Sequence, residues 1–282
     1  MRYRSIWISD VHLGRPSCQA DRLNDFLARN SCEFLYLVGD IIDGWKLRSD
    51  WYWPQSHANV VRRILSNSEQ GTAVYYIAGN HDEFLRRYLD HPMRFGNISI
   101  ATEAIHHTVD GRRILVLHGD EYDMITRHFR RLAIAGDSAY QFLMRANRWV
   151  NFVRERYGMP YWSLSAYAKH QVKRAVNFVS EFEHAVARDC QRRGLDGVIC
   201  GHIHHAEIRT LHGIEYHNCG DWVESCTALG ENQDGRITLI RWGEEPDTTT
   251  VSSTVTSLSR RRAARRAAAA AGKDPTGPAS LL

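Results

Sequence analysis

Residues 36–44 read YLVGDIIDG. The apolar run before Gly39 is typical of a buried strand, and it stops at a glycine followed by the carboxylate of Asp40. The carboxyl ends of strands are where an α/β sheet collects its functional side chains. A single aspartate at such a place is more often a turn former or a helix cap. Asp40 becomes a candidate site residue because related signals follow four other predicted strands.

The four related signals combine carboxylate, amide and imidazole side chains. They are DVH at 10–12, GNHD at 79–82, HGD at 118–120 and GHIH at 201–204. Such oxygen and nitrogen atoms bind hard and borderline divalent metal ions, and two ions about 3.5–4 Å apart can clamp a phosphoryl group. No cysteine lies in any of these segments, which argues against a structural zinc site. We therefore predict a two-metal site in which both ions share Asp40.

The spacing within these segments supports the same interpretation. Asp10 and His12 are two residues apart, as are His202 and His204, so each pair points to one side of an extended backbone. A glycine adjoins each later group of ligands, where tight turns and close backbone approach favour a residue without Cβ. One such motif alone would more often be a cap or a surface histidine. Five in order, each after a predicted strand, favour the metal site.

Length and composition bound the class of protein. The chain has 282 residues, 43% hydrophobic and 24% charged, as in a soluble globular protein with one large α/β domain, or a domain and a subdomain. No apolar run reaches the roughly 18 residues that span a bilayer. The first predicted strand begins at Tyr3, so no signal peptide is expected before it. We expect a cytoplasmic protein.

Cysteine content and charge narrow the class further. The six cysteines show no C-x-x-C spacing and several lie in apolar segments, so they are predicted to be buried and reduced. The net charge is +4, and residues 260–266, RRRAARR, contribute five positive charges. The remainder is close to neutral, which argues against nucleic acid as a partner.

The hydrophobic pattern predicts alternating strands and helices. Helices are predicted at 19–30 and 57–66, with a short one capped by Asp82 and an irregular aromatic segment at 45–56. Strands are predicted at 3–9, 33–38, 72–78, 98–100, 104–109, 114–117, 196–200, 206–211, 214–218 and 236–242.

Two stretches differ from this alternation. Helical periodicity runs through 121–193, which is predicted to be a lid inserted into a domain that spans 1–245. Residues 246–282 are rich in Ser, Thr, Arg and Ala and are predicted to be a disordered basic tail.

The five segments together resemble the signature of the calcineurin-like metallophosphoesterases, over about residues 5 to 240. The resemblance implies a four-layer αββα sandwich with a di-metal centre between its sheets. One metal would be bound by Asp10, His12, Asp40 and His204, and the other by Asp40, Asn80, His118 and His202. His81 would be the catalytic residue beside the phosphate, as an acid or a charge stabiliser.

The same resemblance implies hydrolysis of a phosphoester through attack by a metal-bound hydroxide. Mn²⁺ is the first choice for the two divalent ions because the implied ligands are nitrogen and oxygen atoms only. Fe and Zn accept the same ligands and stay open as alternatives.

Within this superfamily, the chain most resembles the UDP-2,3-diacylglucosamine pyrophosphatases of lipid A biosynthesis. DVHLG at 10–14, GDIID at 39–43 and the long insertion carry this resemblance. It implies cleavage of a nucleotide-linked lipid to UMP and the acylated sugar 1-phosphate. Apolar lid residues would hold the acyl chains, with Phe142, Met144, Trp149, Phe152 and Trp162 as candidates, although such a stripe is more often core. Candidate substrate-binding residues are Lys169, Lys173 and Asp120, although a solvated basic face equally explains the lysines.

Two positions depart from that group and keep alternatives open. His81 and His205 stand where those enzymes tend to carry arginine, which favours a related enzyme that cleaves another phosphodiester or nucleotide-linked pyrophosphate. A metal-free scaffold on the same fold is the alternative from a different class, but all seven implied ligand positions are filled. Residues 260–271 group arginines among alanines and offer peripheral contact with an anionic inner membrane as the alternative to a free tail.

Overall fold

The computed structural model describes residues 1–89, 93–124 and 179–243. Its larger sheet has the strand order β12-β11-β1-β2-β3-β5-β4. The inner strands β1, β2, β3 and β5 run parallel. β4 pairs antiparallel with β5, β11 pairs antiparallel with β1, and β12 pairs antiparallel with β11. These strands are β1 (Arg2–Ile8), β2 (Ser31–Val38), β3 (Ala73–Ile77), β4 (Met93–Phe95), β5 (Ile98–Ala101), β11 (Thr227–Glu231) and β12 (Ile237–Arg241).

The smaller sheet has the strand order β6-β7-β8-β10-β9. Its inner strands β7, β8 and β10 are parallel, so both sheets present carboxyl strand ends from a parallel centre. These strands are β6 (Glu103–His107), β7 (Arg113–Leu117), β8 (Gly197–Cys200), β9 (Glu207–Leu211) and β10 (Ile214–Asn218).

Helices cover the outer face of each sheet. The helix α1 (Ala20–Arg29) buries Leu23, Phe26 and Leu27 on one face, at the spacing expected of an amphipathic helix. Alongside it lies α3 (Gln55–Glu69), and a helix at 179–192, named α5, buries Phe182 and Val186 on the smaller sheet. Two short helices follow strand ends of the larger sheet, α2 (Gly44–Ser49) and α4 (Glu83–Arg86).

An apolar layer joins the two sheets. Trp7, Tyr36 and Val38 from the larger sheet pack with Val116 and Ile199 from the smaller one. Trp7 and Tyr36 stack with ring centroids 5.5 Å apart, and each of the five side chains is at most 3% exposed. The layers therefore follow the order helix, sheet, sheet, helix, and the predicted α/β sandwich is confirmed.

Several predicted elements needed correction. The segment 45–56 begins with the helix α2 rather than irregular chain, because Asp43 caps it by accepting a hydrogen bond from the Lys46 amide. Asp82 precedes α4 but makes no side-chain cap, since its carboxylate binds elsewhere. The strands β4 and β11 were not predicted. Other predicted strands and helices differ at their ends by a few residues.

The structure describes the two ends of the predicted lid. These ends contain a 3₁₀ turn (Asp120–Met124) and α5. Residues 125–178 and 244–282 lie outside the described residues. All six cysteines are free, as predicted. Within the residues described, no helix is long and apolar enough to cross a membrane.

Candidate metal centre

The predicted ligands follow parallel strands in both sheets, and five of them meet between the sheets: Asp10, His12, Asp40, His118 and His204. Asp10 and His12 follow β1, Asp40 follows β2, and the Asn80, His118 and His202 loops follow β3, β7 and β8. Backbone bonds join these loops directly. The Asp10 amide donates to the Gly39 carbonyl at 3.1 Å, the His12 amide to the Asp40 carbonyl at 2.9 Å, and the Gly201 amide to the His118 carbonyl at 3.1 Å.

Among the residues that the structure describes, three groups of side chains place one potential ligand atom each within 4.8 Å of the others. The first is Asp10 with His12 and His204, and the second is Asp10 with Asp40 and His118. The third was not predicted as a group and consists of His12, Asp43 and His81. Shared members connect the three groups, so the arrangement has room for more than one ion.

Asp40 lies at the centre of this cluster. One carboxylate oxygen is 3.3 Å from Nε2 of His118, and the other is 3.8 Å from Nε2 of both His12 and His81. The backbone amide of His81 also donates to Asp40 at 2.8 Å. Burial opposes the charge of Asp40, but the imidazoles of His118, His81 and His12 hold its pKa well below the usual range. The carboxylate is therefore ionised, as a metal ligand must be.

Several buried polar atoms in the cluster are poorly satisfied by the rest of the protein. Within the described part of the chain, neither amide atom of Asn80 has a hydrogen bond, while Nε2 of His118 and Oδ1 of Asp10 face other predicted ligands, Asp40 at 3.3 Å and His204 at 3.1 Å. Nδ1 of His118 lies 3.0 Å from the Val38 carbonyl, a contact that turns Nε2 towards Asp40. Buried polar atoms are normally hydrogen-bonded. These atoms therefore fit a pair of divalent ions.

The backbone is strained at the same positions. Among the described non-glycine residues, seven have a positive φ, and five of these are predicted ligands: Asp10, His12, Asp40, His202 and His204. Their φ angles lie between 51° and 71°. This left-handed region disfavours most side chains and marks places where the surrounding structure enforces a conformation. The strain is concentrated at the predicted ligands.

Two glycines allow the cluster to close, as predicted. A Cβ atom at Gly39 would lie 2.3 Å from the His118 ring, and one at Gly79 would lie 2.3 Å from Oδ1 of Asp40. Gly39 also has a φ of 77°. Any side chain at either position would displace a predicted ligand.

Asp43 is a site residue that the sequence did not single out. Its Oδ2 lies 3.3 Å from Nδ1 of His12, and its Oδ1 lies 3.0 Å from Nδ1 of His81. Burial opposes its charge, but hydrogen bonds from His12, His81 and the Lys46 amide hold its pKa well below the usual range. Asp43 therefore fixes which nitrogen of His12 faces Asp40, as a carboxylate behind a metal-binding histidine does.

His81 lies at the edge of the cluster, beneath an aromatic ring. The centroid of the Trp45 ring is 4.3 Å from that of His81, and Trp45 is 43% exposed. His81 itself is 3% exposed. Its imidazole therefore sits between Asp43, Asp40 and a tryptophan that reaches the surface.

Polar side chains also connect the loops around the cluster. Asp82 accepts from the amides of Ile41 and Ile42 at 3.1 and 2.9 Å, and burial together with the charge of Asp40 raises its pKa to about 6. Arg86 donates to both carboxylate oxygens of Asp120 at 2.7 and 2.6 Å and to the Ala78 carbonyl. The contacts of Arg86 join the loop before Asn80 to the loop after His118.

The remaining predicted site residues have different outcomes. Asp120, predicted to bind substrate, is engaged by Arg86, and its side chain is 10% exposed. His202 donates its backbone amide to Asp10 at 2.9 Å, and its ring centroid is 5.1 Å from that of His118. The other predicted substrate residues and the acyl-chain residues lie outside the described residues: Phe142, Met144, Trp149, Phe152, Trp162, Lys169 and Lys173.

Comparisons with known proteins identify the family of the chain. The family described as calcineurin-like phosphoesterase matches residues 3–206. The UDP-2,3-diacylglucosamine hydrolase of Neisseria gonorrhoeae is 27% identical over 241 residues, 83% of this chain and 96% of the relative. That of Edwardsiella ictaluri is 28% identical over 206 residues, 71% of this chain and 75% of the relative.

Among solved structures, the phosphoesterase Yfce from E. coli aligns over 84% of this chain and 98% of its own, with 14% identity and a TM-score of 0.40. The family match covers most of the chain and includes all seven predicted metal ligands. With ligand atoms converging at the ends of both sheets, the chain belongs to the calcineurin-like phosphoesterase family and is a metal-dependent phosphoester hydrolase.

Proposed function

We propose that this chain hydrolyses UDP-2,3-diacylglucosamine to UMP and the acylated sugar 1-phosphate, a step of lipid A biosynthesis. The relatives named UDP-2,3-diacylglucosamine hydrolase support this substrate, since one of them covers 83% of the chain. The observation that carries the reaction type is the set of buried carboxylate and imidazole ligand atoms that converge around Asp40. Nitrogen and oxygen ligands make Mn²⁺ the first choice of ion, with Fe or Zn as alternatives.

In this proposal, the predicted ligands divide between two ions. Asp10, His12 and His204 would bind one ion, Asn80, His118 and His202 the other, and Asp40 both. When bound, such ions neutralise charge on the phosphoryl group and lower the pKa of water. The chain itself contributes the orientation of these ligands, through the loop contacts and the strained backbone described above.

His81 is proposed to move the proton that the leaving oxygen needs. Asp43 lies 3.0 Å from Nδ1 of His81, which keeps Nδ1 towards the carboxylate and leaves Nε2 for the reacting groups. Nε2 is 3.8 Å from the Asp40 carboxylate at the centre of the cluster. A proton on Nε2 would stabilise charge on the phosphate and then pass to the departing oxygen.

A second candidate is a related hydrolase that cleaves another phosphodiester or nucleotide-linked pyrophosphate. His81 and His205 favour it, because the pyrophosphatase group that the chain resembles tends to carry arginine at both places. His205 is exposed and lies 3.2 Å from Glu207, so its side chain is engaged at the surface.

A hydrolysis panel with added Mn²⁺ separates these candidates. Purified protein is assayed with UDP-2,3-diacylglucosamine, UDP-sugars, nucleotide diesters and bis(p-nitrophenyl) phosphate. Nucleotide products, UMP included, are followed by chromatography, and p-nitrophenol is followed by absorbance. Release of UMP from the acylated substrate alone supports the proposal. Faster turnover of an unacylated substrate supports the second candidate.

Asp40→Asn tests the site itself, because the amide keeps the shape of the carboxylate and removes its charge. We expect bound manganese to fall and activity to drop by at least about a hundredfold, since Asp40 is proposed to hold both ions. Manganese is measured by mass spectrometry of the desalted protein. Activity of the variant at the wild-type rate would overturn the whole assignment.

A further inference from the structure

Arg15 is a cation beside the candidate metal centre that the proposed mechanism does not use. It lies three residues after His12 in the loop that follows β1, and its backbone amide donates to the His12 carbonyl at 3.1 Å. Its Nε donates to Oδ2 of Asp43. The same oxygen of Asp43 is 3.3 Å from Nδ1 of His12, so one carboxylate joins the guanidinium to a predicted ligand.

The outer end of this guanidinium has spare hydrogen-bonding capacity. Across the three described ranges, neither Nη1 nor Nη2 of Arg15 has a hydrogen-bond acceptor, and 41% of the side chain is exposed. Arg86 and Arg112 differ, since each uses Nε, Nη1 and Nη2 on protein acceptors. Their side chains are 24% and 22% exposed. The guanidinium of Arg15 is therefore fixed through Nε, while its Nη1 and Nη2 groups can donate to a ligand.

We propose that Arg15 binds the second phosphate of a pyrophosphate substrate, next to the phosphoryl group held at the metal ligands. The inference rests on the proposed function and extends it, because it makes the site selective for substrates with two adjacent phosphates. The guanidinium is planar and always charged, and its paired N–H groups match phosphate oxygens. Asp43 restricts the orientation of the arginine, which lowers the cost of ordering it around a ligand.

The competing role for Arg15 is to neutralise the charge of Asp43. The two roles predict different effects of an Arg15 substitution on the binding of diphosphates and monophosphates. A second-phosphate contact strengthens the binding of a diphosphate and leaves that of a monophosphate alone. A purely structural contact acts through Asp43 on His12 and His81, and so changes both equally. UDP and UMP have the same nucleoside and differ by one phosphate, so the ratio of their affinities isolates the proposed contact.

The test measures the dissociation constants of UDP and UMP by calorimetry on manganese-loaded protein. For wild type, we expect UDP to bind more tightly than UMP. In Arg15→Gln, that affinity ratio should fall by about tenfold, the scale of one hydrogen bond to a charged group. Arg15→Lys, which keeps the charge without the planar fork, should restore part of the ratio. Arg62→Gln, an exposed arginine on α3, is the matched control and should leave the ratio as in wild type.

Equal affinity of wild type for UDP and UMP would overturn the proposal, as would an unchanged ratio in Arg15→Gln. The binding readout is separate from turnover. If wild type fails to hydrolyse UDP-2,3-diacylglucosamine while Arg15→Gln still lowers the ratio, the substrate assignment fails and the role of Arg15 stands. If wild type cleaves the acylated substrate and Arg15→Gln leaves the affinity ratio unchanged, the substrate assignment stands and the role of Arg15 fails.

Discussion

At the scale of single residues, the candidate centre is built from side chains whose backbone has little freedom. Five predicted ligands adopt the left-handed region, where Asp and His are tolerated better than branched residues. Such conformations cost about 1–3 kcal/mol each and persist only where contacts enforce them. Here the backbone bonds from Asp10 to Gly39 and from His12 to Asp40 supply part of that enforcement. The ligands are thus positioned by the fold rather than by an ion alone.

Asp43 orients two imidazoles at once, those of His12 and His81. We expect Asp43→Asn to weaken metal binding and activity, because both rings depend on its carboxylate. An amide cannot accept from His12 and His81 as a carboxylate does, so their rings lose their fixed orientation. Losses behind a metal ligand typically cost about 10- to 100-fold in metal affinity or activity. Manganese titration followed by paramagnetic resonance, together with kcat on bis(p-nitrophenyl) phosphate, measures both effects.

Asp50→Asn is the matched control for that substitution. Asp43 precedes the short helix α2 and Asp50 follows it. The side chain of Asp50 is 69% exposed, and within the described residues it pairs only with Lys46. We expect its manganese affinity and kcat to equal those of wild type. An Asp43→Asn variant that binds manganese as tightly as Asp50→Asn would show that the carboxylate does not position His12.

At the scale of elements, the Arg86 contact links α4 to the loop after β7. Arg86→Gln and Asp120→Asn should each lower the free energy of unfolding by about 1–3 kcal/mol, because each leaves a largely buried charge without its partner. The double variant should cost less than the sum of the two single variants, since the residues contact each other directly. Urea denaturation of wild type, the two single variants and the double variant measures this coupling. If the losses in free energy of unfolding simply add in the double variant, the two residues are not coupled.

Glu231 joins the two sheets through polar contacts. It lies on β11 with a fully buried side chain, and it accepts from Arg4 and Ser5 on β1 and lies 2.9 Å from Nε2 of His106 on β6. Burial opposes its charge, but hydrogen bonds from His106, Ser5 and Arg4 lower its pKa. A carboxylate with a lowered pKa stabilises the fold above its unfolded pKa, and this contribution is lost as the pH falls through the folded pKa.

We therefore expect Glu231→Gln to destabilise the fold by about 3 kcal/mol at pH 7, because the partly buried Arg4 loses its ionised partner. The difference from wild type should shrink as the pH falls below about 4.5, the ordinary glutamate value. Urea denaturation between pH 7 and pH 3 measures the difference. Glu33→Gln, at an exposed position of β2, is the control. A difference that stayed constant across this range would contradict the argument.

The elements also show which features a sequence can predict. The predicted ligands follow strand ends in short contiguous motifs, so their positions were readable from apolar runs and glycines. The Arg86–Asp120 contact joins residues 34 apart in the chain, and no local pattern marks it. The strand β11 reads TALGE and has little β propensity, yet it is fully buried, with Gly230 packed close to the Tyr3 ring. Tertiary packing overrides local preference there.

At the scale of the whole molecule, the site depends on two sheets that keep one relative position. Asp40 extends from the larger sheet and His118 from the smaller one, and their ligand atoms are 3.3 Å apart. The apolar layer around Trp7 and the polar contacts of Glu231 fix that relation. Catalytic geometry is therefore distributed over the sandwich, whereas recognition of the lipid is proposed to reside in the predicted lid at 121–193.

The arginine-rich tail offers the chain a way to reach a lipid substrate. We propose that residues 260–266 contact the anionic surface of the inner membrane, since each arginine near such a surface contributes about 1 kcal/mol. The intervening alanines offer little apolar area, so the contact should be electrostatic and released at about 0.5 M salt. Replacement of its five arginines by glutamine should abolish co-sedimentation with phosphatidylserine vesicles and leave kcat on bis(p-nitrophenyl) phosphate unchanged. Sedimentation of this variant equal to that of wild type would exclude the tail as the membrane contact.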